Sequence, residues 1–315
     1  MAVIEDVITE SIQQDNMFLV PKQKLLKRSV NRYRSKQRPA EPKQKLLKRS
    51  VNRYRSKQRP AEPKDLDFMV NAEYLHCEDF LLADIRVNDS RHFVFATPFQ
   101  LNIMQQAKRW FMDGTFKVVG DPFSRAGQLM SIHAFVRKDG KRKQFPLAFA
   151  LMSRKRKEDY VKILDAIKQK MERNVLETFV VDFEKGAWQA IREVFSDVDV
   201  KGCVFHWTQA VWCHIQELGL VTSYRKREAV HSYIRQLMAL PFLPSAHIVE
   251  TFTVLRAWAN NGPLIELTDY MDRQWIRNPI FDVPSWCVFG LTIRTNNDVE
   301  ATEPMDLESL IRCRT

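Results

Sequence analysis

No apolar run in these 315 residues approaches the roughly 20 residues that a membrane helix needs. The chain therefore reads as having no membrane partner. The N-terminus carries Glu5, Asp6 and Glu10 where a secretory signal would have a basic start and then an apolar stretch, so it reads as no signal. Cysteine is sparse: Cys77, Cys203, Cys213, Cys287 and Cys313 are scattered, odd in number and form no CxxC pair. A reducing compartment is the simpler reading of that pattern. Hydrophobic residues make up 45% and aromatics 11%, which excludes a chain disordered throughout and allows a real core. The length suits one large domain or two small ones.

Charge is unevenly placed. Residues 21–62 hold sixteen Lys or Arg and two Glu, a net of +14 against +11 for the whole chain, so the rest sums to −3. This basic stretch is a perfect tandem repeat. Pro21–Glu41 reads PKQKLLKRSVNRYRSKQRPAE, and Pro42–Glu62 repeats it. Two copies do not build a solenoid, which needs at least three units, and an exact copy marks a recent duplication or a gene-model artefact. Lys27, Arg28, Arg32 and Arg34, with their copies Lys48, Arg49, Arg53 and Arg55, are expected to contact DNA phosphates or to serve nuclear import. A solvated linker is the plainer alternative. The run Arg154-Lys155-Arg156-Lys157 admits the same two readings.

Two aspartates sit in apolar company: Asp113 in Met112-Asp113-Gly114-Thr115-Phe116 and Asp182 in Val180-Val181-Asp182-Phe183-Glu184. A carboxylate among strand-forming residues must be paired, neutralised or bound to a metal, unless it merely caps a turn. The surrounding pattern predicts strands at 110–119, 129–136, 145–152, 178–182 and 198–205, with a turn signal at Lys138-Asp139-Gly140-Lys141. Helical spacing marks 160–171 and 187–195, and a third helix begins at Thr208. Leu101–Arg109 reads as a helix after a break at Pro98, and 229–240, 245–260 and 263–276 read as a helical block. The order β-β-β-α-β-α-β-α is that of an α/β fold of ribonuclease H-like type, a mixed sheet flanked by helices, with an all-helical insertion before its last catalytic element. In that fold the first and fourth strands are adjacent, which would bring Asp113 and Asp182 together across 69 positions.

Paired carboxylates suit hard divalent cations and phosphoryl transfer. Glu300, in Arg294-Thr295-Asn296-Asn297-Asp298-Val299-Glu300, is the best third carboxylate, on a helix that Asn297 or Asp298 could cap. Cys203-Val204-Phe205-His206 offers two zinc-type ligands at the end of the fifth strand, but a four-ligand set is not evident and zinc is not expected. Trp188, Trp207, Trp258, Trp275 and Trp286 read as core, with stacking on an extruded base as the alternative for the last three.

These motifs, with Ser131-Ile132-His133-Ala134-Phe135 and Gly202-Cys203-Val204-Phe205-His206-Trp207, resemble the animal branch of the Mutator-like element (MULE) transposases over about residues 65–300. The resemblance implies a DDE-type core that cleaves and transfers DNA strands with Mg²⁺ or Mn²⁺ in the nucleus. It makes Asp113, Asp182 and Glu300 the catalytic and metal-binding carboxylates, and it leaves the role of Cys203 and His206 open. Its partner would be double-stranded DNA, at transposon ends or in chromatin, with self-association as an option. It implies a short segment at 1–20, a basic arm at 21–64, a lead-in at 65–107, the core at 108–219, a helical insertion at 220–278 and a C-terminal segment at 279–315.

Two departures stand out. No FLYWCH-type zinc finger precedes the basic linker. After Glu300 the family continues Gly-Trp-His into a long helix, whereas this chain has Ala301-Thr302-Glu303-Pro304, and a proline in a helix interior costs about 3 kcal/mol. The site is thus expected either to cleave DNA or to have been silenced by truncation, leaving a DNA- or chromatin-binding protein. A scaffold role is a third reading, resting on the helical block alone.

Overall fold

The computed structural model describes residues 62–75, 79–115, 118–124, 126–138, 141–291 and 293, with Val51 and Tyr54. The eight basic residues assigned to the DNA arm and Glu300 lie outside the described residues. Among the described residues no helix is long and apolar enough to cross a membrane.

A single turn, α1 (Ala72–Leu75), precedes a hairpin of β1 (Leu81–Val87) and β2 (Ser90–Phe95). Val87 pairs with Ser90, so Asn88 and Asp89 make a two-residue turn, and Asn88 takes the positive φ of 52° that such turns require. Helix α2 spans Pro98–Met104. The sequence pattern placed this helix after a break at Pro98, but the proline begins it. Thr97 and Gln100 form a reciprocal capping box, and a proline in the first turn loses no helical hydrogen bond.

The central strands follow: β3 (Arg109–Thr115), β4 (Gln128–Lys138) and β5 (Lys141–Met152). Lys138 pairs with Lys141, as the Asp139-Gly140 turn signal predicts. The register slips between Ile132 and His133, opposite Pro146. A proline cannot donate to a ladder, and a bulge is one place that tolerates it. Helix α3 (Lys157–Gln169), β6 (Thr178–Val181), α4 (Lys185–Val194), β7 (Asp199–Gly202) and α5 (Val204–Glu217) complete the alternating part.

Among the described residues the seven strands form one sheet in the order β1-β2-β5-β4-β3-β6-β7. The first five pair antiparallel, whereas β3, β6 and β7 run parallel. Residues 81–95 therefore extend the same sheet that carries the aspartates, through the pairing of β2 with β5. Helices α3 and α4 bury Tyr160, Ile163, Leu164, Trp188 and Ile191 against Trp110, Met130, Ile132 and Val181 of the sheet.

The fifth strand is shorter than the sequence suggests. The pattern predicts a strand to Phe205, but β7 stops at Gly202 and Cys203 caps a helix starting at Val204. Val204-Phe205 is apolar because this helix start is buried, and a short apolar run does not distinguish strand from buried helix.

Helices α6 (Val221–Lys226), α7 (Glu228–Met238), α8 (Ser245–Ala257), α9 (Gly262–Met271) and α10 (Val283–Trp286) form the helical block, with a π-helical turn at Asp272–Ile276. They share a second core with Trp207, Val211 and Trp212 of α5. Trp188, Trp207, Trp275 and Trp286 are fully buried, as expected. Trp258 is not core: it ends α8 and is 58% exposed.

Candidate active site

The parallel register between β3 and β6 decides the site. Trp110 stands beside Phe179 and Phe111 beside Val180. Two residues further on, the same register leads to Asp113 and Asp182 at the carboxyl ends of the two strands. Parallel strands place ligand-binding residues at these ends, where the chain turns into helices.

Asp113 is half-buried and faces Ser131 of β4. Its Oδ1 accepts the Gly114 N–H at 2.8 Å. Burial, then the negative charge of Asp182, holds its carboxyl above the ordinary aspartate range. Asp182 is anchored through its backbone: the Trp188 indole N–H donates to its carbonyl at 2.7 Å. The next residue, Phe183, stacks on Trp188 and meets Trp275 and Phe281 edge-on, and its ring lies directly on Gly202, where a Cβ would overlap it. Phe183 packs against both hydrophobic cores, so the Asp182 loop is pinned where they meet.

His206 reaches the same point from α5. Cys203 is the cap of this helix and His206 its third residue, so the Cys-x-x-His spacing stacks both on the first turn. His206 Nδ1 lies 2.8 Å from Asp182 Oδ1. Burial alone would push the imidazole's pKa down, but the facing Asp182 and Cys203 outweigh it and hold it up at about 11. Among the described residues, Asp113, Asp182 and His206 form the one group of at least three metal-type ligands, with donor atoms all within 4.8 Å of one another.

Asp113 and Asp182 also line a small cavity of about 30 Å³ together with Gln128, Tyr160 and Glu184. Gln128 is 2% exposed and donates to the buried Tyr160 hydroxyl. A Cβ at Gly114 would meet the end of the Gln128 side chain, which would have to shift to admit it. Lys155 Nζ stands 3.7 Å from Glu184, whose carboxyl is raised chiefly by burial.

The structure thus brings together Asp113, Asp182, Cys203 and His206 of the sequence-predicted residues. It adds Glu184, Tyr160 and Gln128, which sequence reasoning missed. Glu184 follows Asp182 by two residues in the same short segment. Tyr160 looked like one more apolar position of a helix, and nothing marked Gln128. The basic run at 154–157 is not a free cationic patch: Arg154 and Arg156 pair with Asp89, Lys155 with Glu184, and Lys157 with Glu193.

No curated protein is similar enough to the chain to count as a match. The stretch from β3 into α5, residues 109–210, which holds Asp113, Asp182, Cys203 and His206, matches the family model of the MULE transposase domain.

Proposed function

We propose that this is a transposase-derived protein of the MULE class, with a DDE-type, ribonuclease H-like core that cleaves and transfers DNA strands. The observation that carries this reading is the juxtaposition of Asp113 and Asp182 at the ends of neighbouring parallel strands, inside the matched stretch. The sheet order β5-β4-β3-β6-β7, antiparallel and then parallel, is the order expected of a ribonuclease H-like fold.

The residues fit a divalent cation. The donors are hard carboxylate oxygens, both half-buried, and burial together with the charge of Asp182 raises Asp113, a cost that a cation between them relieves. Asp113 and Asp182 would hold Mg²⁺ or Mn²⁺, with Glu300 as the third carboxylate. The chemistry these carboxylates would support is two-metal phosphoryl transfer, in which one bound ion would supply activation of an attacking hydroxyl and the other would supply charge stabilisation at the leaving oxygen of a phosphodiester. The chain's own part is positional: the Trp188 indole and the Phe183 ring fix Asp182, while the β3–β4 ladder fixes Asp113.

Incubation of the purified chain with terminal-inverted-repeat DNA and Mg²⁺ or Mn²⁺ tests the proposal. Nicking by the wild type, lost in Asp113→Ala and Asp182→Ala, supports it. No nicking by any of the three sinks it.

The +14 segment favours a second reading, a non-catalytic DNA- or chromatin-binding protein in the nucleus that uses the basic arm. This is the outcome if the segment after Glu300 no longer supports catalysis.

A further inference from the structure

His206 is not needed by the three-carboxylate reading, yet its ring nitrogen sits beside the two aspartates. The contact with Asp182 has an unusual form. The atoms are 2.8 Å apart, but Nδ1 is sealed from solvent and has no acceptor in line with it. A hydrogen bond between these groups would align the ring N–H with the oxygen, because the bond weakens steeply off axis. A carboxylate oxygen of Asp113 lies within 4.8 Å of both atoms.

That is the relation between neighbouring ligands of one cation. Two adjacent ligands about 2.1 Å from an octahedrally coordinated ion lie about 3 Å apart. The observed separation is of that size, and the third donor, from Asp113, lies within 4.8 Å of both. The elements that deliver the three donors are independent: β3, the β6–α4 turn and the first turn of α5.

We propose that His206 is a direct ligand, through Nδ1, of the cation held by Asp113 and Asp182, the cation displacing to solvent the proton that the ring carries beside Asp182 in the metal-free protein. The inference rests on the metal-site reading above and deepens it. Imidazole adds little for Mg²⁺, which prefers oxygen and keeps its water, but it strengthens binding of first-row transition ions. The site therefore selects a transition cation such as Mn²⁺ over Mg²⁺. With His206 in the shell, a cation can be held by three protein donors without Glu300. The Cys-x-x-His spacing then has a physical purpose. Cys203 precedes the first residue of the helix, and His206, one turn on, brings its ring beside the carboxylate pair.

The test uses the full chain with Mn²⁺ as probe and reads binding rather than activity. Electron spin-echo envelope modulation of bound Mn²⁺ detects a directly coordinated imidazole nitrogen. The wild type should show ¹⁴N modulation that His206→Gln removes and His133→Gln keeps, His133 being the other histidine near Asp113. Calorimetry should give Mn²⁺ at least about tenfold tighter than Mg²⁺ in the wild type, with the ratio falling severalfold in His206→Gln. Should His206→Gln fail to fold, selective ¹⁵N-histidine labelling of the wild type reports the same coordination, by replacing ¹⁴N with ¹⁵N modulation. Mn²⁺ bound in an Asp113-dependent way but without nitrogen modulation overturns the inference and leaves the metal-site reading intact, His206 then being an ion-pair partner of Asp182. No Mn²⁺ binding by the wild type at millimolar concentration overturns both.

Discussion

Asp113 shows how a site residue works against the fold that holds it. In the metal-free protein, burial and Asp182 raise its carboxyl, so its ionised form is disfavoured in the folded state relative to the unfolded one. Asp113→Asn should therefore stabilise the metal-free protein at neutral pH, by on the order of 0.5–2 kcal/mol. The gain should fade as pH falls through the raised carboxyl's own titration, because the wild type is then neutral too. Denaturant unfolding at several pH values checks this, and an unchanged or lower stability at pH 7 contradicts it. His92 makes a second residue-scale case, far from the aspartates in the sheet. It is fully buried on β2, with Nε2 3.0 Å from Asp159 Oδ1, and Asp159 caps α3 by accepting from the Arg156 backbone N–H at 2.9 Å. Burial lowers the His92 pKa despite Asp159. The unfolded chain takes up a proton below about pH 6.5 that the folded chain refuses, so stability present above that pH is lost as pH falls. The slope for one such group is at most about 1.4 kcal/mol per pH unit. A His92→Gln variant should show a flatter decline between pH 6.5 and 5, and an unaltered slope would refute the assignment.

At the scale of elements, the packing between β7 and the Asp182 loop is decisive. Gly202 leaves room for the Phe183 ring, and that ring binds the sheet's core to the helical block. Gly202→Ala should force the ring off its seat, costing about 1–3 kcal/mol as overpacking does, and should weaken cation binding by loosening Asp182. Denaturant unfolding together with Mn²⁺ titration measures both effects. Full stability with full affinity would show that the ring does not position the aspartate. The elements themselves were legible to different degrees. The β4–β5 hairpin was readable from Asp139-Gly140 and its alternating flanks, and α3 from Tyr160, Ile163, Leu164 and Ile167. The β7–α5 boundary was not, because Val204-Phe205 is buried in a helix start and carries no period of its own. Trp258 was misread as core for the converse reason: an aromatic residue in a helical block reads as buried unless the packing around it is known.

At the scale of the whole molecule, charge and chemistry are segregated. The aspartates belong to a part of the chain with a net charge of −3, and the +14 lies in the repeat. If that repeat supplies DNA affinity, binding should fall by about 10³–10⁵ between 50 and 200 mM salt for 6–10 phosphate contacts, and deleting residues 21–62 should flatten the salt dependence. Fluorescence anisotropy with duplex DNA measures this, and an unchanged slope after deletion would place the contacts elsewhere. The sequence by itself determined the class of the chain, the segregation of its charge, the α/β alternation and the two aspartates as candidates. These are local or additive properties, carried by composition and period. The order of elements already made Asp113 and Asp182 expected neighbours; only the tertiary structure decided their register, that His206 joins them from α5, and that Glu184, Tyr160 and Gln128 line the same cavity. Those facts depend on strand order and on rings packed across two cores, and such long-range contacts leave no period in the chain.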